Sequence, residues 1–308
     1  MTIEQIKQSL DKKGIYFCLM EAWKRVWPIR WVREKYITDQ IYEERAYRYL
    51  KKKYLPLLFH FSPTQNEVSS NDNTKRIWVC WLQGEENAPK IVKKCIQSFR
   101  EFAGGHEVCL ITNDNISNYI EIPTIIKKKL QQKRMQYATY SDYIRTSLLE
   151  KHGGVWIDAT VLLTAEIPKE VFDAPLFCFQ KSVLSRSPIA MSSWFLSSMP
   201  HHRILQQTKF LFEQYWEREN HLCNYYLFHL FFSLVADYDD TNRIAFQQMP
   251  YYNNVDVHVL SHKLTSPYSE SEFARICNNA FAHKLTYKFQ DTSFLKKDNT
   301  FYSFIINK

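Results

Sequence analysis

The sequence predicts an α/β fold in which a mixed, Rossmann-type sheet is flanked by helices. Two observations support this prediction. A strand–helix–strand unit lies within residues 76–112, and a helix that stops at two glycines leads into a strand within residues 140–163. Strand, helix and strand over so short a length are typical of a βαβ unit, whose two strands run parallel. After Thr164 the pattern of strands and helices becomes mixed.

The strand–helix–strand unit begins with the apolar run 76–84, which ends in a loop. An amphipathic helix is predicted from about residue 90 to residue 101, and residues 106–112 read as the second strand. Further elements are predicted as strands at 176–179, 190–195 and 255–260, and as helices at 125–134, 203–218 and 224–236.

The second unit predicts a site. Ser141 is a plausible N-cap for its helix, and the Gly153-Gly154 pair fits a C-cap followed by a tight turn that needs positive φ. Residues 155–157 then form a short apolar strand, and Asp158 follows it directly. In open α/β sheets, ligands bind beyond the carboxyl ends of the strands, so Asp158 lies where a binding site is expected.

The same stretch carries a resemblance. The string S-D-x-x-R-x-x-L-L-x-x-x-G-G-V-W-I-D-A-T, which starts at Ser141, resembles bacterial capsular polysaccharide synthesis glycosyltransferases. It is similar, more distantly, to the DXD-sugar-binding transferases of the Och1 (GT32) and toxin glucosyltransferase type. The resemblance implies a GT-A fold, a nucleotide-sugar donor and a divalent metal, Mn²⁺ or Mg²⁺.

Carried over residue by residue, the resemblance implies that Asp142 and Arg145 bind the donor sugar and that Asp158 binds the metal. The usual D-x-D pattern is D-A-T here, so Ala159 and Thr160 follow Asp158 and the second carboxylate is missing. Magnesium and manganese prefer oxygen ligands, which a carboxylate at a strand end supplies. The alternative for Asp142 and Arg145 is an ordinary helical i,i+3 ion pair.

Further donor contacts are implied at the loop after the first strand, where Trp81, Gln83 and Gly84 would approach the nucleotide sugar. The two glycines at 153 and 154 belong to the same predicted donor site. His283 is the expected third metal ligand, by resemblance to GT-A enzymes with a late histidine ligand. A lone histidine is more often structural, and Trp81 could equally be a core residue.

The predicted domain organisation has three parts. Residues 1–61 form a basic, aromatic helical appendage, residues 62–75 a polar linker, and residues 76–308 the GT-A-like domain. Within that domain, residues 76–165 are assigned to the donor and residues 166–308 to the acceptor. Tryptophans at positions 23, 27 and 31, among many lysines and arginines, suit an interfacial helix, with packing onto the domain as the alternative.

Composition and charge indicate the class of partner and the cellular location of the protein. The formal net charge is +8, which favours anionic partners such as a membrane surface or phosphorylated ligands. No nucleic-acid-binding motif is present, so nucleic acid is not expected as a partner. Seven scattered cysteines without a CxxC pair suit reduced thiols. Since no signal peptide is evident, a cytoplasmic protein is expected, with a peripheral position on the inner face of the cell membrane as a further expectation.

Two functions follow from these observations. The first is a hexosyltransferase that moves a sugar from a nucleotide-sugar donor to a glycan or lipid-linked glycan acceptor in capsular or cell-surface polysaccharide synthesis. A UDP-sugar is the expected donor, and retention of configuration is the expected outcome. The second is an inactive nucleotide-sugar- or glycan-binding scaffold, for which the missing second aspartate argues.

Overall fold

The computed structural model describes residues 35–63, 76–181, 187–289 and 292–307. The interfacial tryptophans at 23, 27 and 31 and all but the first two residues of the predicted linker lie outside these ranges. In chain order the helices and strands are α1 (Lys35–Lys53), β1 (Ile77–Cys80), α2 (Lys90–Glu101), β2 (Val108–Ile111), α3 (Thr124–Gln131), α4 (Tyr137–His152), β3 (Gly154–Ile157), β4 (Val161–Leu163), α5 (Lys169–Asp173), β5 (Leu176–Gln180), β6 (Met191–Ser198), α6 (Arg203–Arg218), α7 (Leu227–Ala236), α8 (Asp240–Gln247), α9 (Val259–Lys263), α10 (Glu270–Asn279), β7 (Ala282–Lys284) and α11 (Phe301–Asn307).

The main sheet has five strands in the order β2-β1-β3-β6-β5. Strand β1 runs parallel to both β2 and β3, whereas β6 runs antiparallel to both β3 and β5. A second, two-stranded sheet pairs β4 with β7 in antiparallel register. The prediction of a mixed sheet flanked by helices is therefore confirmed.

Strand β3 separates two hydrophobic cores. Side chains alternate along a strand, so Trp156 enters one core, and Val155 and Ile157 enter the other. The Trp156 core also contains Ile144 and Leu148 of α4. The same alternation places the side chain at position 158 on the α4 side of the sheet, which is how a strand residue meets a helix residue at the site described below.

Helix α1 is part of the main core. Leu50, together with Tyr54 and Leu58 just beyond the helix, is buried in the same core as Trp156. Glu219, which follows α6, accepts hydrogen bonds from Tyr49 and Tyr54 at 2.8 Å each. The described portion of the predicted appendage therefore packs onto the domain through its apolar residues.

Several local expectations differ from the structure. Helix α4 begins at Tyr137, so Ser141 lies within the helix and is not its N-cap. The strand expected at 255–260 is instead a 3₁₀ turn followed by α9. Strand β7 and helix α11 were not expected. These are short elements with weak periodicity, for which tertiary packing decides the conformation.

Helix α7 is the apolar segment that most resembles a membrane helix. It covers only 10 residues, or about 15 Å at 1.5 Å per residue, against a bilayer core of about 30 Å. Among the described helices none is long and apolar enough to span a membrane.

The two glycines between α4 and β3 are required by their surroundings. Gly153 has φ +65° and Gly154 has φ +97°, a region that L-residues avoid. A β-carbon on Gly154 would lie 2.4 Å from the carbonyl oxygen of Arg76, and one on Gly153 would lie 2.6 Å from Cδ of Pro200. The carbonyl of Gly153 also accepts a 2.8 Å hydrogen bond from Nε1 of Trp78. The turn is therefore fixed against β1.

We expect Gly154→Ala to lower the free energy of unfolding by about 3 kcal/mol, since it adds a backbone clash to an unfavourable φ. Gly105→Ala is the matched control, because Gly105 has φ +85° but no atom within 4 Å of the added carbon. The control should cost about 1 kcal/mol. Urea unfolding measures both. Equal losses in the two variants would show that the close approach at Gly154 is unimportant.

Candidate active site

The carboxyl ends of the parallel strands β1 and β3 meet at one edge of the sheet, as open α/β folds require of a ligand site. A cavity of about 390 Å³ opens there. Its wall is formed by the loop after β1, the first turns of α4, the end of β3 and residues from α7 and the C-terminal region: Cys80, Trp81, Leu82, Gln83, Tyr137, Ala138, Ser141, Asp142, Arg145, Trp156, Asp158, Ala159, Thr160, Ser193, Tyr225, His229, Tyr287 and Lys288.

Asp158 is the centre of the polar network on this wall. Its Oδ1 accepts hydrogen bonds from Nη2 of Arg145 at 2.7 Å and from Nε1 of Trp156 at 2.8 Å. Its Oδ2 accepts one from Nζ of Lys284 at 2.6 Å. Lys284 also donates to Oγ1 of Thr160 at 2.8 Å. Both oxygens of the carboxylate are therefore held, in a fixed orientation, by side chains from α4, β3 and β7.

Arg145 links the two aspartates of the predicted site. Nη1 of Arg145 donates to Oδ1 of Asp142, and the side chain is only 4% exposed. The guanidinium lies 4.9 Å from the ring centroid of Trp156, a cation–π contact. The helical ion pair of the alternative interpretation does form between Asp142 and Arg145, and it is buried and shared with Asp158.

The two carboxyl groups differ in acidity. Burial disfavours the charge on Asp158, but the Lys284 and Arg145 cations outweigh burial and hold its pKa well below the ordinary value. Burial raises the pKa of Asp142 to about 6, although the charge of Arg145 acts in the opposite direction. Asp158 is thus a permanent anion, whereas Asp142 changes its charge close to neutral pH.

His229 contributes a neutral polar group to the wall. Burial and the charge of Arg145 lower its pKa to about 3, so the ring stays uncharged at neutral pH. Nδ1 of His229 is buried without a hydrogen-bond partner among the described residues. Exposed tyrosines, Tyr137, Tyr225 and Tyr287, line the same cavity. A neutral imidazole beside aromatic rings suits an uncharged, hydroxyl-rich ligand.

The structure places the predicted donor residues in two groups. Seven of them line the cavity: Trp81, Gln83, Asp142, Arg145, Asp158, Ala159 and Thr160. Gly84, Gly153 and Gly154 are not on its wall; the last two shape the turn that leads into β3.

His283 lies away from Asp158. Strand β7 pairs with β4, and alternation directs Lys284 towards Asp158 while His283 points to the other side. The His283 ring is fully buried, and its Nε2 lies 3.0 Å from Oγ1 of Thr164. The expectation that His283 completes a metal site with Asp158 is therefore corrected: the neighbouring residue, Lys284, occupies that position.

The donor set of the cavity does not fit a divalent metal in this arrangement. A metal at Asp158 needs free carboxylate oxygens, and those of Asp158 already bind Lys284, Arg145 and Trp156. Thr160 adds no charge, and within the described ranges no group of three or more His, Cys, Asp or Glu side chains could hold a metal ion. The Mn²⁺ or Mg²⁺ expected from the sequence stays a prediction.

Sequence reasoning missed Lys284, Lys288, His229 and Tyr225. Lys284 had a signal: a strand reading of residues 282–284 places neighbouring side chains on opposite faces, so either His283 or Lys284 could face the site, but not both. His229 and Tyr225 had none, because His229 lies on α7 and Tyr225 in the turn just before it, and the position of α7 depends on its packing against α6.

Comparisons with known proteins identify a family and two similar proteins. The sequence profile of the family described as "Capsular polysaccharide synthesis protein" matches residues 27–305. The O-glycosyltransferase PaGT of Phomopsis amygdali is 28% identical over 115 residues, which cover 34% of this chain and 28% of that protein. The solved structure of the PaToxG glycosyltransferase aligns with a TM-score of 0.39 and 13% identity, over 79% of this chain and 95% of that one.

The raised pKa of Asp142 has a consequence for stability. The folded chain holds the Asp142 proton more tightly than the unfolded chain, whose value is 3.8. The resulting stabilisation is complete below about pH 4 and is lost as the pH rises through about 6. Replacing Asp142 by asparagine removes this dependence.

We expect the stability of Asp142→Asn, relative to the wild type, to rise by about 2 kcal/mol between pH 4 and pH 7.5. Chemical unfolding at a series of pH values measures this difference. Asp114→Asn, the same change at an exposed position, is the matched control for the chemical substitution itself. Parallel curves for Asp142→Asn and the wild type would contradict the raised pKa.

Proposed function

The chain belongs to the capsular polysaccharide synthesis protein family, and from this membership and the site we propose that it is a glycosyltransferase. It transfers a sugar from a nucleotide-sugar donor to a glycan or lipid-linked glycan acceptor during synthesis of a capsular or cell-surface polysaccharide. The observation that supports this proposal best is the buried Asp142–Arg145–Asp158 network on the wall of an open cavity at the carboxyl edge of β1 and β3.

The chemistry of glycosyl transfer explains the composition of the wall. Negative charge gathers on the diphosphate as the bond to the anomeric carbon breaks, so the site must place positive charge near the leaving group. Arg145 and Lys288 are on the cavity wall, and Lys284 is attached to Asp158 and Thr160 at its edge. These cations stabilise the leaving group electrostatically.

The sugar is held by groups of a different kind. Asp142 accepts hydrogen bonds from sugar hydroxyls when it is ionised, and the neutral ring of His229 can donate or accept one. We propose a hexose as the transferred sugar, because uncharged hydroxyls suit both groups. UDP is the proposed nucleotide. Retention of configuration is proposed from the resemblance to transferases that retain it; in that mechanism the acceptor attacks from the leaving-group side and no dedicated base is needed.

One feature favours the scaffold alternative. Both oxygens of Asp158 are engaged by protein donors, and a protein that only binds a nucleotide sugar could tolerate such an arrangement. The two functions differ in turnover, so an assay for product distinguishes them.

We expect the purified chain to be stabilised against thermal unfolding by one member of a panel of UDP-, GDP- and CMP-sugars, because a bound donor stabilises the folded state by mass action. With that donor, Asp158→Asn and Arg145→Lys should each lower kcat/KM by about 100- to 1000-fold, the loss typical of removing a transition-state hydrogen-bond partner. Donor consumption and product formation are followed by chromatography.

Asp237→Asn and Arg243→Lys are the matched controls, since these residues form an exposed ion pair outside the cavity. Both controls should keep wild-type kcat/KM and melting temperature. Near-normal turnover in Asp158→Asn would contradict the assignment of the site. Donor binding by the wild type without turnover over a wide acceptor panel would favour the scaffold.

The positive charge of the chain supports an association with anionic membrane surfaces, where lipid-linked acceptors are found. We expect the full chain to float with vesicles that contain phosphatidylglycerol and to remain behind with vesicles of phosphatidylcholine alone. Added salt should release the bound protein by screening. Equal flotation with both vesicle types would rule out an electrostatic association.

A further inference from the structure

We propose that the ammonium group of Lys284 takes the place of a divalent cation at Asp158, so that the donor diphosphate is bound by lysine and arginine side chains without a metal. This inference rests on the proposed transferase function and specifies how its site handles charge.

The ammonium of Lys284 lies between two side chains of the D-A-T sequence. Nζ of Lys284 bridges Oδ2 of Asp158 and Oγ1 of Thr160, at 2.6 Å and 2.8 Å. These two side chains stand at the first and third positions of the D-A-T sequence, where a D-x-D sequence would offer two carboxylates. One carboxylate and one hydroxyl balance a single positive charge, whereas two carboxylates would balance a divalent ion.

The backbone pairing of β4 with β7 fixes the position of Lys284. Val161 of β4 pairs with Lys284 of β7, and the amide of Leu285 donates to the carbonyl of Thr160 at 2.8 Å. The Lys284 side chain is 22% exposed. The backbone at Lys284 is therefore held beside the D-A-T turn by Thr160 and Val161. Moving the ammonium of Lys284 away from Asp158 would break an ion pair in a partly buried environment.

The charges of the side chains around Asp158 balance one another. Asp142 and Asp158 are paired with Arg145 and Lys284, so the cluster is neutral when all four groups are ionised. A divalent ion would have to displace Lys284 from Oδ2 and would leave two uncompensated positive charges there. Lys288 adds a further cation on the cavity wall, which suits a diphosphate that carries a negative charge on each phosphate.

The ammonium of Lys284 can donate more hydrogen bonds than Asp158 and Thr160 accept from it. An ammonium group has three N–H bonds, and two of those on Lys284 are used by Asp158 and Thr160. The third has no partner in the part of the chain that the structure describes, so it can donate to a phosphate oxygen. Asp158 then acts as a positioning residue that orients the ammonium of Lys284 and the guanidinium of Arg145.

The first test uses Mn²⁺ alone and does not depend on activity. Electron paramagnetic resonance of the full chain, freed of metal by a chelator, should show no Mn²⁺ site with a dissociation constant below about 1 mM, since the carboxylate oxygens are occupied. Lys284→Ala should bind Mn²⁺ at least about tenfold more tightly than the wild type, because it frees Oδ2 of Asp158. Micromolar Mn²⁺ binding by the wild type that Asp158→Asn abolishes would overturn the proposal.

The second test uses UDP and GDP as probes, with titration calorimetry in EDTA and in Mn²⁺. We expect one of them to bind the wild type equally well in both buffers. Lys284→Ala should weaken that binding about 10- to 100-fold, the loss of a charge-assisted hydrogen bond, and Lys284→Arg should restore part of it. Lys263→Ala is the matched control, because Lys263 also forms a single ion pair, with Glu272 at 2.8 Å, outside the cavity.

Nucleoside binding distinguishes a phosphate-binding role of Lys284 from a purely structural role. Binding of uridine or guanosine, followed by saturation-transfer NMR, should be the same in Lys284→Ala and the wild type, since a nucleoside carries no phosphate. Equal loss of nucleoside and diphosphate binding would overturn the proposal. Diphosphate binding that appears only with Mn²⁺ would overturn it and leave the transferase function standing, whereas no binding of either diphosphate in either buffer would overturn both the proposal and the assignment of a UDP-linked donor.

Discussion

The site depends on one carboxylate. Asp158 ends the central strand of the sheet and holds the guanidinium of Arg145, the indole of Trp156 and the ammonium of Lys284 at hydrogen-bond distance. Each partner comes from a different place in the chain, so the carboxylate joins helix α4, strand β3 and strand β7. Because Arg145 is buried, removing its partners would leave a charge in a poorly solvated environment, which is far more costly than losing a surface ion pair.

Much of the central part of the fold could be predicted because its signals are local. The run 76–112 carries apolar strands around an amphipathic helix, and the observed strands β1 and β2 and helix α2 fall inside the predicted limits. The glycines at 153 and 154 stop a helix at the expected place, and positive φ values explain why glycine is needed. Asp158 could be placed at a strand end, and Asp142 and Arg145 could be placed side by side by helical spacing, whereas their role at the donor was implied only by the resemblance.

The parts that could not be predicted depend on contacts between distant segments. Lys284 reaches Asp158 through the antiparallel pairing of β4 with β7, and a strand of three residues has no readable period of its own. The choice of His283 over Lys284 failed because register, not residue type, decides which of two neighbours faces the site. How helix α1 packs could not be predicted either, because its polar composition hides the few residues, such as Leu50, that enter the core.

The pairing of β4 with β7 also bears on the order in which the protein becomes competent during its synthesis. Asp158 and Lys284 are 126 positions apart, and synthesis proceeds from the N-terminus at about 5 to 20 residues per second. The residues around Asp158 therefore emerge from the ribosome many seconds before Lys284. During that interval Asp158 has only Arg145 and Trp156 as partners, and the site reaches its final charge only after Lys284 has emerged.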